Sequence, residues 1–99
     1  MGRMRLAASD IRYIETDGHH VVFHTLSGDY RQYNSLSNLE AELENMGFAR
    51  CNSCYLVNLW YVKSIKGYTV FLDDRELRIS QPRKKAFLNS LAEWNNLIL

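Results

Sequence analysis

Phe48-Ala49-Arg50-Cys51-Asn52-Ser53-Cys54-Tyr55-Leu56-Val57-Asn58-Leu59-Trp60-Tyr61-Val62 is the stretch on which the fold turns. Tyr55 to Leu59 and Tyr61 to Ile65 carry the β-branched and aromatic residues of strands, so the chain returns to sheet directly after a helical segment. Arg50 through Cys54 then reads as a short link between that helix and the next strand, held at both ends. Arg50, Asn52 and Ser53 are side-chain types that bond base edges and phosphate oxygens. The competing reading is that Asn52 and Ser53 only satisfy turn amides, and the segment alone does not choose between the two.

Working back toward the start, Ile11 to Glu15 alternates as a strand, and Asp17-Gly18 signals a tight turn because both residues tolerate positive φ. His20 to Leu26 is the next strand, and Ser27-Gly28-Asp29 turns it into Tyr30 to Tyr33, an antiparallel meander. Leu36, Leu39, Leu43 and Met46 then fall on one helical stripe. Ser37 with Glu40 fits a capping box, and Gly47 suits a left-handed cap at the end. The outer face of this helix carries Glu40, Glu42 and Glu44, so it should point away from any polyanion.

Working forward, Lys66-Gly67 turns the chain into a strand from Tyr68 to Leu72, and Asp73-Asp74 closes a hairpin into Leu77-Arg78-Ile79. A second helix is expected over about Pro82 to Trp94, with Ser80 as N-cap and Pro82 where no amide donor is needed. Phe87, Leu88, Leu91 and Trp94 form its apolar stripe. The expected fold class is therefore mostly β with short helices.

Charge is segregated behind a net value of +1. Up to Ala49 there are four basic and seven acidic residues, whereas Arg50 to Lys85 holds eight basic residues against Asp73, Asp74 and Glu76. No carboxylate lies between Glu44 and Asp73 or between Glu76 and Glu93, so a polyanion meets little local repulsion there. Ser80-Gln81-Pro82-Arg83-Lys84-Lys85 concentrates three cations at a helix start, where the macrodipole disfavours them. A docked anion resolves the conflict, since free amides and cations then act together. The plainer alternative is a solvated face that aids solubility.

Other chemistries find little support. His19 and His20 sit at a hairpin tip, but neighbours in a strand face opposite ways, so one at most points outward with the tip. Joining them to Cys51 and Cys54 makes a weak zinc signal, because no second matching pair exists. We expect no metal, no cofactor and two half-buried thiols. A redox pair belongs at a helix start after a strand, whereas here a strand follows the cysteines. There is no phosphate-cradling glycine loop, no G-x-S-x-G and no H-E-x-x-H, so an enzyme is not expected.

Ninety-nine residues suffice for one domain with one core. No apolar run approaches the roughly 20 residues that cross a bilayer, and the first residues do not resemble a signal peptide. The expectation is a cytoplasmic protein with no membrane contact in this fragment and no small-molecule substrate.

The ordered set Asp10-Ile11-Arg12-Tyr13-Ile14-Glu15, Ser35-Leu36, Leu39-Glu40, Gly47-Phe48, Arg50, Ser53, Tyr55-Leu56-Val57-Asn58, Val62, Ile65, Ile79-Ser80 and Arg83-Lys84-Lys85 resembles the LytTR-type DNA-binding domain of bacterial transcription regulators. The resemblance covers nearly the whole chain, and Tyr55 to Asn58 is its most specific piece. It implies an elongated arrangement of small antiparallel sheets whose loops, rather than a recognition helix, enter successive major grooves of double-stranded DNA. Carried over by position, the contacts fall on His19, on Arg50, Asn52 and Ser53, and on Ser80, Gln81, Arg83, Lys84 and Lys85. Ser53 stands where some relatives have a base-contacting asparagine. Gln81-Pro82 stands where a basic residue is common, so Arg83 is expected to take over that contact.

The resemblance also implies a second copy on adjacent repeats, and a receiver domain or membrane segment joined to the DNA-binding unit. Neither attachment is in these residues, and Met1 to Ala8 leads abruptly into a strand, so an excised output domain is expected. Two rivals stand beside this reading. One is a protein-interaction module using sheet edges and the acidic helix face; the other is an RNA-binding domain stacking bases on its six tyrosines.

Overall fold

A computed structural model describes residues 5–96, so the beginning of the segment from Met1 to Ala8 lies outside the described residues. Two antiparallel sheets form the frame of the fold. The larger contains β1 (Ile11–Asp17), β2 (His20–Thr25), β3 (Gly28–Tyr33), β4 (Phe48–Asn52) and β5 (Tyr55–Asn58) in the order β3-β2-β1-β5-β4. The smaller is the meander β6 (Ser64–Lys66), β7 (Thr69–Phe71) and β8 (Glu76–Arg78). Two helices, α1 (Leu36–Leu43) and α2 (Lys84–Asn96), complete the fold, with short 3-10 turns at Ala8–Asp10, Glu44–Met46, Leu59–Tyr61 and Gln81–Arg83.

Alternation along the central strands divides the apolar residues between two cores, one on each face of the larger sheet. Ile14 of β1, Leu56 of β5 and Phe48 of β4 join Val21, Phe23, Leu36 and Leu39 beneath α1. Tyr13, Val57, Ala49 and Cys51 join Val70, Leu77, Ile79 and Phe87 beneath the smaller sheet and α2. The described residues thus hold two cores where a single core was expected. Ile14, Leu56, Val57 and Val70 are wholly removed from solvent. Each such side chain contributes about 1.5–3 kcal/mol of burial. Stacking the smaller sheet and α2 beside the larger sheet gives extents of 42 × 30 × 25 Å, the elongated body expected.

Asn58 sits in this apolar setting at 3% exposure without an unmet polar atom. Its Nδ2 donates to the Ile11 carbonyl at 2.8 Å and, more weakly, to that of Ala8 at 3.4 Å, while Oδ1 accepts from the Trp60 amide at 3.1 Å. That last bond starts the 3-10 turn Leu59–Tyr61, where the expected strand from Tyr61 to Ile65 gives way. The Tyr61 hydroxyl also donates to the Ser9 carbonyl.

The first helix starts differently from the capping box expected at Ser37. Ser35 is the N-cap, its side chain accepting from the Asn38 amide at 3.1 Å, and Ser37 lies inside the first turn. Gly47 adopts φ 82° as expected, but it follows a 3-10 turn, and Met46 is exposed rather than on the buried stripe. The indole of Trp94 lies over Gly47, where a Cβ would come within 2.9 Å of the ring.

Candidate nucleic-acid interface

Three turns that are distant in sequence meet at one end of the larger sheet. The β1–β2 turn presents His19, exposed beside Gly18 at φ 62°. The Thr16 amide donates to the Cys54 carbonyl at 3.0 Å, which sets this hairpin beside the β4–β5 turn and Ser53. The Ser80 amide in turn donates to the Cys51 carbonyl at 2.9 Å, bringing the start of α2 to the same end. The segments that carry His19, Ser53 and Ser80 are thus linked in turn through backbone hydrogen bonds at this end of the sheet.

The segment read as a link after the first helix is a hairpin. Arg50, Cys51 and Asn52 belong to β4, a strand absent from the sequence reading, and only Ser53 and Cys54 form the turn. A register irregularity between Arg50 and Asn52 disturbs the alternation that would have exposed the strand. Arg50 points along the molecule rather than out of it. Its side chain is 11% exposed, with Nη1 donating to Glu40 Oε1 at 2.9 Å and Nη2 to the Ser53 carbonyl at 3.0 Å. Glu40 is consequently half-buried and leaves the acidic outer face to Glu42 and Glu44. Asn52 also bonds internally: Nδ2 donates to the Arg78 carbonyl at 2.6 Å, and Oδ1 accepts from the Cys54 amide at 2.7 Å. Arg50 and Asn52 hold the turn, and Ser53 is exposed upon it.

The basic run at the second helix is also reshaped. Gln81–Arg83 form a 3-10 turn, Lys84 and Lys85 open α2, and the Ser80 side chain makes no capping bond. The cap is made instead by backbone, the Arg83 amide donating to the Ser80 carbonyl at 3.1 Å. Gln81, Pro82 and Lys85 are exposed. Lys84 Nζ rests 4.0 Å from the centre of the Tyr68 ring, a cation–π contact that tethers the helix start to the smaller sheet. Arg83 is half-buried beside a cleft of about 570 Å³ between α1 and α2, whose walls also include Glu40, Arg50, Phe87 and Trp94. Among the described residues Arg83, Lys84 and Lys85 make no ion pair, whereas Arg12, Arg31, Arg50 and Lys63 do.

The cysteines are not two half-buried thiols. Cys51 is wholly buried, and loss of hydration pushes its thiol up to about 12, while Cys54 is exposed on the turn. Among the described residues no group of three or more His, Cys, Asp or Glu side chains is arranged to hold a metal ion, and no helix is long and apolar enough to cross a membrane. The tyrosines form no continuous platform. Tyr13 is buried, Tyr30, Tyr55 and Tyr61 are half-buried, Tyr33 packs edge-on against His20, and Tyr68 lies under Lys84.

Lys66, Tyr68 and Arg78 read in the sequence as parts of a turn and a strand, outside the expected contact set. Yet the Ile79 amide donates to the Tyr68 carbonyl at 2.7 Å, which brings this turn next to Ser80. The signal that could have found them was the carboxylate-free run from Asn45 to Leu72 in which Lys66 and Tyr68 lie.

Comparison with known proteins bears on the family and the fold. The family model described as the LytTr DNA-binding domain matches residues 2–92. A solved structure described as the LytTr DNA-binding domain of a response regulator from Bacillus cereus superposes with a TM-score of 0.75 at 22% identity. The superposition covers 84% of this chain and 82% of that one, a likeness of fold. No curated protein sequence matches significantly.

Proposed function

The chain belongs to the LytTr DNA-binding domain family, and from that premise we propose that it reads duplex DNA sequence-specifically through the three turns at the end of its larger sheet. His19, Ser53 and Arg83 approach base edges in successive major grooves, and Lys84 and Lys85 fix the register by contacting phosphates, with Ser80 and Gln81 beside them. Arg50 and Asn52 serve the same interface from behind, by holding the Ser53 turn in shape. The domain acts as the output unit of a bacterial transcription regulator in the cytoplasm. Two copies on adjacent repeats extend the site along the duplex.

One observation carries the reading: side-by-side turns whose cations at the α2 start have no internal ion-pair partner among the described residues. Unpaired cations beside exposed polar side chains suit a phosphate backbone with base edges behind it. A competition of duplex DNA, single strands and RNA for the domain tests it. Duplex recovered by selection from a random pool should win, and equal or stronger retention of single strands or RNA would refute the proposal. In a salt-controlled titration Arg83→Ala should cost roughly 1–3 kcal/mol of discrimination at its base pair. Unchanged affinity and site preference would remove Arg83 from the contact set.

A further inference from the structure

The smaller sheet contributes cations to the same end of the molecule, outside the three turns. The register of β6, β7 and β8 aligns Lys66 with Thr69 and Thr69 with Arg78, so one cross-strand row carries a cation at each side. Val70 and Leu77 are buried on the inner face, which leaves Lys66 and Arg78 on the outer one, and both are exposed. Strand spacing puts the two backbones roughly 10 Å apart. Phosphates follow one another at about 3.4 Å of axial rise along a DNA strand, so a row of this length laid along the duplex axis covers about three of them.

This row adjoins the proposed interface through specific bonds. The Arg78 carbonyl accepts from Asn52 Nδ2 at 2.6 Å, directly behind the Ser53 turn. The Tyr68 carbonyl accepts from the Ile79 amide at 2.7 Å, and the Tyr68 ring carries Lys84 at 4.0 Å. Neither Lys66 nor Arg78 makes an ion pair among the described residues, whereas Lys63, at the other end of β6, is 3.5 Å from Asp73. The nearest carboxylate on the same strand as Arg78 is Glu76, opposite Phe71 in the next row away from the interface. Without an internal carboxylate beside them among the described residues, both exposed cations are available to an anionic partner from outside.

We propose that Lys66 and Arg78 form a fourth DNA-contacting segment, which grips the phosphate backbone beside the Ser53 and Ser80 turns without reading bases. Tyr68 is a positioning residue within it, joining the row to Lys84. The inference rests on duplex binding by the three turns.

The test is titration of the selected duplex at several salt concentrations with the wild type, Lys66→Gln, Arg78→Gln, the double variant and Lys63→Gln. Each of the first two substitutions should lower the slope of log affinity against log salt by about 0.9. Between about 50 and 200 mM salt the loss of affinity then shrinks roughly 3.5-fold per substitution, with the order of preference among duplexes unchanged. The double variant should lose both increments, and Lys63→Gln neither. Urea midpoints equal to the wild type establish that the variants are folded. Slopes unchanged in folded Lys66→Gln and Arg78→Gln, or an equal fall in Lys63→Gln, would overturn the fourth segment while leaving the three-turn reading intact. A wild type that fails to bind any duplex would instead remove the reading on which the inference rests.

Discussion

Arg50→Ala separates a residue that holds the interface from one that touches DNA. Removing the guanidinium deletes the bond from Nη2 to the Ser53 carbonyl, which is made by a charged donor from a mostly buried side chain. Such bonds contribute about 1.5–3 kcal/mol. The bond to Glu40 adds less, about 0.5–1 kcal/mol, because that carboxylate is 41% exposed and partly screened. Against these stands Nε, which is buried without a partner, so its removal returns on the order of 1 kcal/mol. The net loss is about 2 kcal/mol. For a domain of this size that lowers Tm by roughly 8–16 °C. Thermal and urea unfolding read the stability, and duplex titration across salt reads the interface. A held turn predicts weaker discrimination with the salt slope unchanged, because no phosphate contact has gone. An unchanged melting point together with a slope reduced by about 0.9 would refute the reasoning and make Arg50 a phosphate ligand.

Three further outcomes follow from the packing around the cleft, the core and the turns. Gly47→Ala forces a Cβ into a φ of 82° and to within 2.9 Å of the Trp94 ring, so the backbone term alone costs about 1–2 kcal/mol and the indole must shift; an unchanged urea midpoint and unchanged tryptophan fluorescence would contradict this. Cys51 keeps its proton to about 12 in the folded protein against 9.0 for the free thiol, so above pH 9 the unfolded chain binds fewer protons and stability falls as pH rises. The slope reaches at most about 1.4 kcal/mol per pH unit, with Tyr13, whose burial raises it too, adding in the same direction. Urea midpoints from pH 8 upward should therefore decline faster in the wild type than in Cys51→Ala, and parallel declines would disprove it. At neutral pH a thiol reagent should label Cys54 rapidly and leave Cys51 unmodified until unfolding.

Much of the fold was legible because the relevant signals are local. The hairpins near Gly18, Gly28 and Gly67, the left-handed Gly47 and most of the apolar stripe of α2 are each set by neighbouring residues, although the turns fall one residue away from the expected positions and Leu88 of the stripe is exposed. What escaped depends on distant partners. β4 looked like a polar link because Arg50 and Asn52 read as solvent-facing, when Glu40 and the Ser53 and Arg78 carbonyls hold them. Ser35 and Ser37 are equally good caps by type, and only the entry angle of the chain from β3 chooses between them. The 3-10 turn at Leu59 follows from Asn58, whose partners include a carbonyl 47 residues earlier. For the candidate site, charge segregation pointed to the right stretches of chain but not to which cations are already paired. Pairing is a matter of three-dimensional neighbours, so the sequence does not show that Arg50 is held by Glu40 while Lys66 has no ion-pair partner among the described residues.

Asn58 has a consequence for how the chain avoids assembling wrongly. Slide β5 by one residue along β1 and the amide leaves both carbonyls behind while Leu56 and Val57 trade faces, so a single misstep is penalised by stranded polar atoms and by misplaced hydrocarbon at once. The side chain therefore works as a key cut for one alignment, and the turn that carries Ser53 arrives in the same place every time the molecule folds.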